Sequence, residues 1–247
     1  MRPARLTVVL VAHGSRDPRA AASTVALARA VGRARPGWDV RTAYLDHAGP
    51  RPLEVLASLP AGRRVVIVPL LLTAAYHGRV DVPEIVSAAA GLPLDVHLAE
   101  VLGPSSADEV PSLLVDALVR RLPSTHLDGI VLAAAGTRSP AARETITWAA
   151  GALSARLGLP CAVAYASGAP PLPGPAVAAL RQSAGIDRIG VSAYFLAPGY
   201  LYDSAVHSAS EGGAVALAEP LGDAPELARL VVSRVEASFA GVLPAAA

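Results

Sequence analysis

Short runs of β-branched and aliphatic residues alternate with longer Ala- and Leu-rich stretches of helical period along the whole chain. The runs at 6–12, 40–45, 64–71 and 94–100 read as strands, and the stretches near 18–34, 51–59, 81–90 and 106–122 as helices. The second half repeats this, with strands near 129–134, 161–166, 187–195 and 214–218 and helices near 140–157, 174–184, 203–210 and 224–240. Runs such as Arg64–Leu72 are continuously apolar, as strands of a parallel sheet covered on both faces are. The pattern predicts an α/β fold: two tandem, similar, doubly wound domains, each a mostly parallel sheet of about four strands flanked by helices.

The two halves also match in residues. AHGSRDP at 12–18 returns as AAGTRSP at 134–140, VRTAYLD at 40–46 as CAVAYAS at 161–167, and RVVIV at 64–68 as DRIGV at 187–191. LAEVLG at 98–103 returns as LAEPLG at 217–222. Two long copies make two domains rather than a solenoid. Pro123, Ser124 and Thr125 interrupt the pattern, so the expected division is 1–123 and 124–247. Gly14/Gly136, Ser15/Thr137, Arg16/Arg138 and Pro18/Pro140 share one frame, but His13 faces Ala135. A reactive side chain kept in one copy points to one active site in the first half, with the second half as a degenerate wall of the cleft.

Composition narrows the classes. The chain is 53% hydrophobic and 17% charged, enough to bury a sizeable core. All 21 basic residues are arginine and the net charge is +1, which argues against a general nucleic-acid binder. One cysteine, Cys161, excludes an intrachain disulfide and a cysteine-based zinc site. Met1–Arg5 and the apolar residues after it faintly resemble a signal peptide, but a first strand explains them better. No segment has the roughly 18 apolar residues of a membrane span. The expectation is a soluble, cytoplasmic protein that binds neither nucleic acid nor membrane.

Ligands of doubly wound sheets bind beyond the carboxyl ends of the strands where strand order reverses. In a 2-1-3-4 order, His13 after strand 1 and His77 after strand 3 meet over one crevice. Two imidazoles there suit a divalent metal or proton transfer. Asp46, Asp81 and Glu84 are candidate carboxylates to orient a ring or take a proton, although Asp81 and Glu84 equally suit a helix start. His47 follows Asp46 at the crevice rim, while His97, His126 and His207 read as structural or exposed. In the second copy His77 aligns with Tyr200, or with Leu201 if Pro198 is an insertion. Tyr194, Phe195, Tyr200 and Tyr202 offer aromatic area for a flat ligand, or pack the core.

VLVAHGSRDP at 9–18, AYLD at 43–46, PLLLTAAYHGRVDVPE at 69–84 and LAEVLG at 98–103 together resemble the sirohydrochlorin chelatase family in its long two-domain form, within the class II tetrapyrrole chelatases. The resemblance implies ATP-independent insertion of Co²⁺ or Fe²⁺, with Ni²⁺ third, into the tetrapyrrole sirohydrochlorin, in sirohaem or cobalamin biosynthesis. It implies that His13 and His77 are the metal-binding catalytic pair and that no cofactor beyond the substrate metal is needed. Ser15, Arg16, Arg79, Arg138 and Tyr200 are then candidate substrate contacts, the arginines for peripheral carboxylates. The duplication reads as a fused dimer, so a monomer would complete one cleft. The competing readings are a non-catalytic tetrapyrrole or metal carrier and a histidine-phosphatase-like hydrolase. The latter wants an arginine before the His-Gly pair, where this chain has Ala12.

Overall fold

The computed structural model describes residues 6–73, 81–183 and 185–240. In the first half, β1 (Thr7–Ala12), α1 (Pro18–Ala34), β2 (Asp39–Tyr44), α2 (Pro52–Ala57), β3 (Arg63–Pro69), α3 (Asp81–Ala89), β4 (Leu94–Leu98) and α4 (Ser112–Arg121) follow one another. The second half gives β5 (Gly129–Ala134), α5 (Pro140–Leu157), β6 (Cys161–Tyr165), α6 (Pro173–Arg181), β7 (Ile189–Tyr194), α7 (Tyr200–Glu211), β8 (Ala216–Leu217) and α8 (Pro225–Ala240). Each half forms one four-stranded sheet, in the orders β2-β1-β3-β4 and β6-β5-β7-β8, and every recorded pairing is parallel. The expected 2-1-3-4 order therefore holds in both copies.

Side-chain alternation on the strands explains why both faces are covered. Val8 and Leu10 of β1, with Val66 and Val68 of β3, enter a core shared with the second half; Val9, Val11, Val65 and Ile67 enter a separate core under α2 and α3. β5 splits likewise, Ile130 and Leu132 into the shared core and Val131 and Ala133 toward α6 and α7. Helix starts follow capping chemistry. The Asp17 carboxylate accepts from Arg19 N–H and Ser139 Oγ from Ala142 N–H, each just before a proline that opens the helix.

Several expected elements come out shorter, β8 among them at Ala216–Leu217. β3 stops at Pro69, which cannot donate to a ladder, and β4 stops at Leu98. The helix expected over 106–122 spans Ser112–Arg121, because Pro111 occupies its N-cap and the polar stretch before it is irregular.

Packing also crosses between the halves. α4 lies against α5 and β7, whereas α8 lies against α1, β3 and β4. Each half thus lends its last helix to the other half's sheet, and the two lent helices touch each other. Ion pairs follow the same exchange. Arg120 on α4 makes two hydrogen bonds of 2.6 and 2.7 Å to Glu226 on α8, which is only 5% exposed. Arg35 reaches Glu236 at 2.6 Å, and Arg234 reaches Glu100 at 2.7 Å. Glu100, in the LAEVLG segment, thereby serves to tie the β4 end to α8.

Candidate metal and tetrapyrrole site

Because β1 and β3 are neighbours, with Val11 opposite Pro69, the chain leaves both strands side by side at the carboxyl edge of the first sheet. His13 is the first residue past β1 and is exposed. Gly14 follows at φ +96°, and a Cβ there would stand 1.8 Å from the Asp46 carbonyl oxygen. Only glycine permits that approach. It brings the β2–α2 turn against His13: the Asp46 N–H donates to the His13 carbonyl at 2.8 Å. His77 and Arg79 lie outside the described residues, as do 74–80 as a whole. Asp81 is the first residue of α3.

A pocket of about 540 Å³ opens at this edge, lined by His13, Asp46, Arg51 and Glu84 with Leu45, Pro52, Leu53, Ile85 and Ala88. Three residues singled out by sequence, His13, Asp46 and Glu84, thus share one pocket. Arg51 was not among the candidates; it donates to the Leu45 carbonyl and stands 3.7 Å from Asp46. The Asp46 carboxyl is held below the usual carboxylate range, chiefly because its Oδ1 accepts the His47 N–H at 2.7 Å, and further by the nearby His47, Arg51 and His13. Asp46 is thus a carboxylate at neutral pH. The His47 ring stands edge-on to His13, with centroids 6.4 Å apart. Among the described residues, no group of three or more His, Cys, Asp or Glu side chains already converges to hold a metal ion.

The other candidates fall in different places. Ser15 Oγ accepts the Asp17 N–H at 3.0 Å, so its hydroxyl shapes the entry to α1; Thr137 does the same for Ser139. Arg16 is exposed beside it. Arg138 lines a second pocket of about 530 Å³, which runs from Leu70–Thr73 at the end of β3 to Ala134–Ser139 and Tyr194–Leu196 at the ends of β5 and β7. This pocket joins the carboxyl edges of the two sheets. Of the aromatic cluster, Tyr194 is buried and donates to the Leu72 carbonyl at 2.8 Å, and burial pushes its phenol far up. Phe195 and Tyr202 meet edge-on at 5.7 Å, and the Tyr202 hydroxyl donates to Ala218. Packing therefore uses three of the four, leaving Tyr200, at the start of α7, 82% exposed.

The LAEVLG repeat also has a physical role. Leu102 and Gly103 N–H donate to Leu71 at 2.9 and 3.2 Å, and a Cβ on Gly103 would stand 1.9 Å from the Leu72 carbonyl. Leu221 and Gly222 make the matching bonds to Phe195 and Leu196. Both copies of the motif pin the strand-end loops that border the cleft. Of the remaining described histidines, His97 sits between Asp95 and the Phe239 ring, while His126 and His207 are exposed, beside Asp128 and Glu211 respectively. Cys161 is partly buried in the core region, which pushes its thiol up to about 12.

The architecture is that of a duplicated doubly wound α/β protein with two strand-end edges facing one cleft and, in the described residues, an imidazole past the first strand of only one copy. The CbiX family model matches residues 7–123 and again 129–238, and the chain belongs to that family. SirB from Bacillus subtilis with Fe³⁺ has the same fold, with a TM-score of 0.78 at 20% identity over 96% of each chain. SirB from Bacillus subtilis subspecies spizizenii, a sirohydrochlorin chelatase in complex with cobalt, gives a TM-score of 0.72 at 19% identity, covering 96% of this chain and 97% of that one. CbiX, described as the terminal enzyme for biosynthesis of siroheme in denitrifying bacteria, gives 0.61 at 21% identity over 94% and 99%. No curated protein matches the chain.

Proposed function

We propose that this chain is a sirohydrochlorin chelatase that inserts Co²⁺ or Fe²⁺, with Ni²⁺ third, into the macrocycle without ATP, in sirohaem or cobalamin synthesis. The observation that carries the reading is His13 at the switch point of the first sheet, in a 540 Å³ pocket with two carboxylates, where the matched position of the second sheet holds Ala135. Membership of the CbiX family supports it, as do folds shared with proteins described with iron and with cobalt.

In this reading His13 and His77 hold the substrate cation on one face of the macrocycle. Insertion replaces two inner N–H protons with one M²⁺, so two protons must leave. Asp46 and Glu84 line the same pocket and serve as the proton acceptors, and Asp81, the first residue of α3, is a further candidate for that role. The apolar pocket between the two sheets takes the flat ring, and Arg138 at its lining meets a peripheral carboxylate. Ser15, Arg16 and Arg79 are further candidate contacts for the macrocycle, and Tyr200 offers an exposed ring face. Residues 1–123 act as the catalytic half and 124–247 as the wall, in a monomer working in the cytoplasm. No described helix is long and apolar enough to cross a membrane.

The test is anaerobic absorbance of sirohydrochlorin mixed with Co²⁺ or Fe²⁺, with and without the protein and with no nucleotide present. Acceleration of the metallation spectrum over buffer is the expected result. Binding of the macrocycle with the buffer rate of metallation would instead make the chain a carrier.

A further inference from the structure

The turns after β2 and β6 are built alike. Tyr44 N–H donates to Pro50 and Tyr165 N–H to Pro171; Asp46 N–H donates to His13 and Ser167 N–H to Ala135; Ala48 N–H donates to Asp46 and Ala169 N–H to Ser167. Gly14 and Gly136 would each put a Cβ 1.8 Å from the carbonyl of Asp46 and Ser167 respectively. This register makes His47 the counterpart of Gly168. Both have left-handed backbone, at φ +59° and +75°. Glycine takes that conformation without cost, while a side chain there is strained. His47 is the one non-glycine residue at positive φ among the described residues. Such outliers persist where the surroundings enforce them, and they concentrate at functional sites.

The surroundings here are specific. The Asp46 carboxylate accepts the His47 N–H at 2.7 Å and stands 3.5 Å from its Nε2. The ring is held 6.4 Å from that of His13, edge-on, and is partly exposed. Imidazole binds first-row cations at about 2 Å, so two rings on one cation have centres roughly 5–6 Å apart. The observed 6.4 Å lies just outside that range. His47 does not line the 540 Å³ pocket with His13, so it approaches His13 from outside that pocket. The copy that lacks His13 has glycine at this position; the copy that has it bears the backbone strain of a histidine.

We propose that His47 is a donor for the divalent transition-metal substrate, taking the cation from solvent and passing it to His13. The inference rests on the proposed function only for the fate of that cation.

The experiment is a Co²⁺ titration of the full chain without any tetrapyrrole, followed by the visible ligand-field bands, with wild type, His47→Gly and His47→Gln. Glycine is the second copy's own residue and removes the strained side chain, so His47→Gly should melt no lower than wild type. Losing even an outer-shell partner of a metal site costs about 10–100-fold in affinity. The expected result is Co²⁺ binding at least about tenfold weaker in both variants, with altered bands. Unchanged affinity and bands in His47→Gly would overturn the proposal. So would wild type that binds no Co²⁺, or weaker binding accompanied by a lower melting temperature. Failure of wild type to metallate sirohydrochlorin would overturn the chelatase reading instead and leave this titration standing.

Discussion

The strand ends after β1 and β5 share one backbone and differ in chemistry. Both carry a glycine near φ +100° pressed on a carbonyl, a hydroxyl that shapes the helix entry, an arginine and a proline at the helix start. One has His13, with Asp46 and His47 across the turn; the other has Ala135, with Ser167 and Gly168. The backbone frame is the same in both copies, while the side chains at the strand ends differ. The second edge still opens onto a pocket as large as the first, lined mainly by apolar groups and Arg138. That is what a wall for a flat ligand needs.

The largest effect that sharpens this contrast lies at the position past β3 and its counterpart. His77→Ala should lower kcat for metallation by about 100-fold or more, the usual scale for removing a group that handles a proton or metal in the reaction. Tyr200→Ala, at the counterpart, should raise KM a few-fold and leave kcat alone, as loss of uniform binding does. Steady-state kinetics on both variants checks the split.

The two pressed glycines come next. Gly14→Ala and Gly136→Ala meet the same 1.8 Å clash, so each should cost about 2–4 kcal/mol of stability, seen as similar falls in melting temperature. Per folded molecule, only Gly14→Ala should lose activity, because only it displaces His13. Equal loss in both variants would mean that the second edge takes part in the chemistry.

A smaller effect tests the joint between the copies. Tyr194→Phe removes the buried hydroxyl that donates to Leu72 at 2.8 Å and should cost about 1–2 kcal/mol. For a chain of this size that is a few degrees of melting temperature by calorimetry, about 2–4 °C per kcal/mol.

The smallest effect is in the pH dependence. Hydrogen bonds from Arg120 hold the Glu226 carboxyl below its usual 4.5. A carboxyl whose folded pKa is depressed adds stability above its unfolded value and loses it as pH falls through the folded one. Melting temperature should therefore fall on acidification below about pH 4.5, and less steeply in Arg120→Met. Arg120 is solvent-exposed, so the difference should be modest.

Much of this frame follows from the chain itself. Continuous apolar runs announced parallel strands, the duplicated AHGSR segment gave the copies, and the strand order came from the doubly wound rule. Pro111 was visible in the sequence, yet the Ala- and Leu-bearing pattern around it read through as helix. The exchange of α4 and α8 was not readable, because an amphipathic stripe says that a helix is covered but not which sheet covers it. The site was read in part. His13, Asp46 and Glu84 follow from strand ends and a helix start, whereas Arg51 and the strained backbone of His47 depend on how the β2–α2 turn folds back. The aromatic cluster divided in a way that composition cannot foretell, three rings inward and Tyr200 outward.

The central claim is that one copy does the chemistry. Its most direct test is the anaerobic single-turnover rate of Co²⁺ insertion into sirohydrochlorin for wild type, His13→Ala, and His13→Ala combined with Ala135→His. The account predicts a rate at the buffer level for both variants, since an imidazole returned to the second copy meets Ser167 and Gly168 across the turn in place of Asp46 and His47. A near-wild-type rate in His13→Ala, or its recovery on adding Ala135→His, would contradict it.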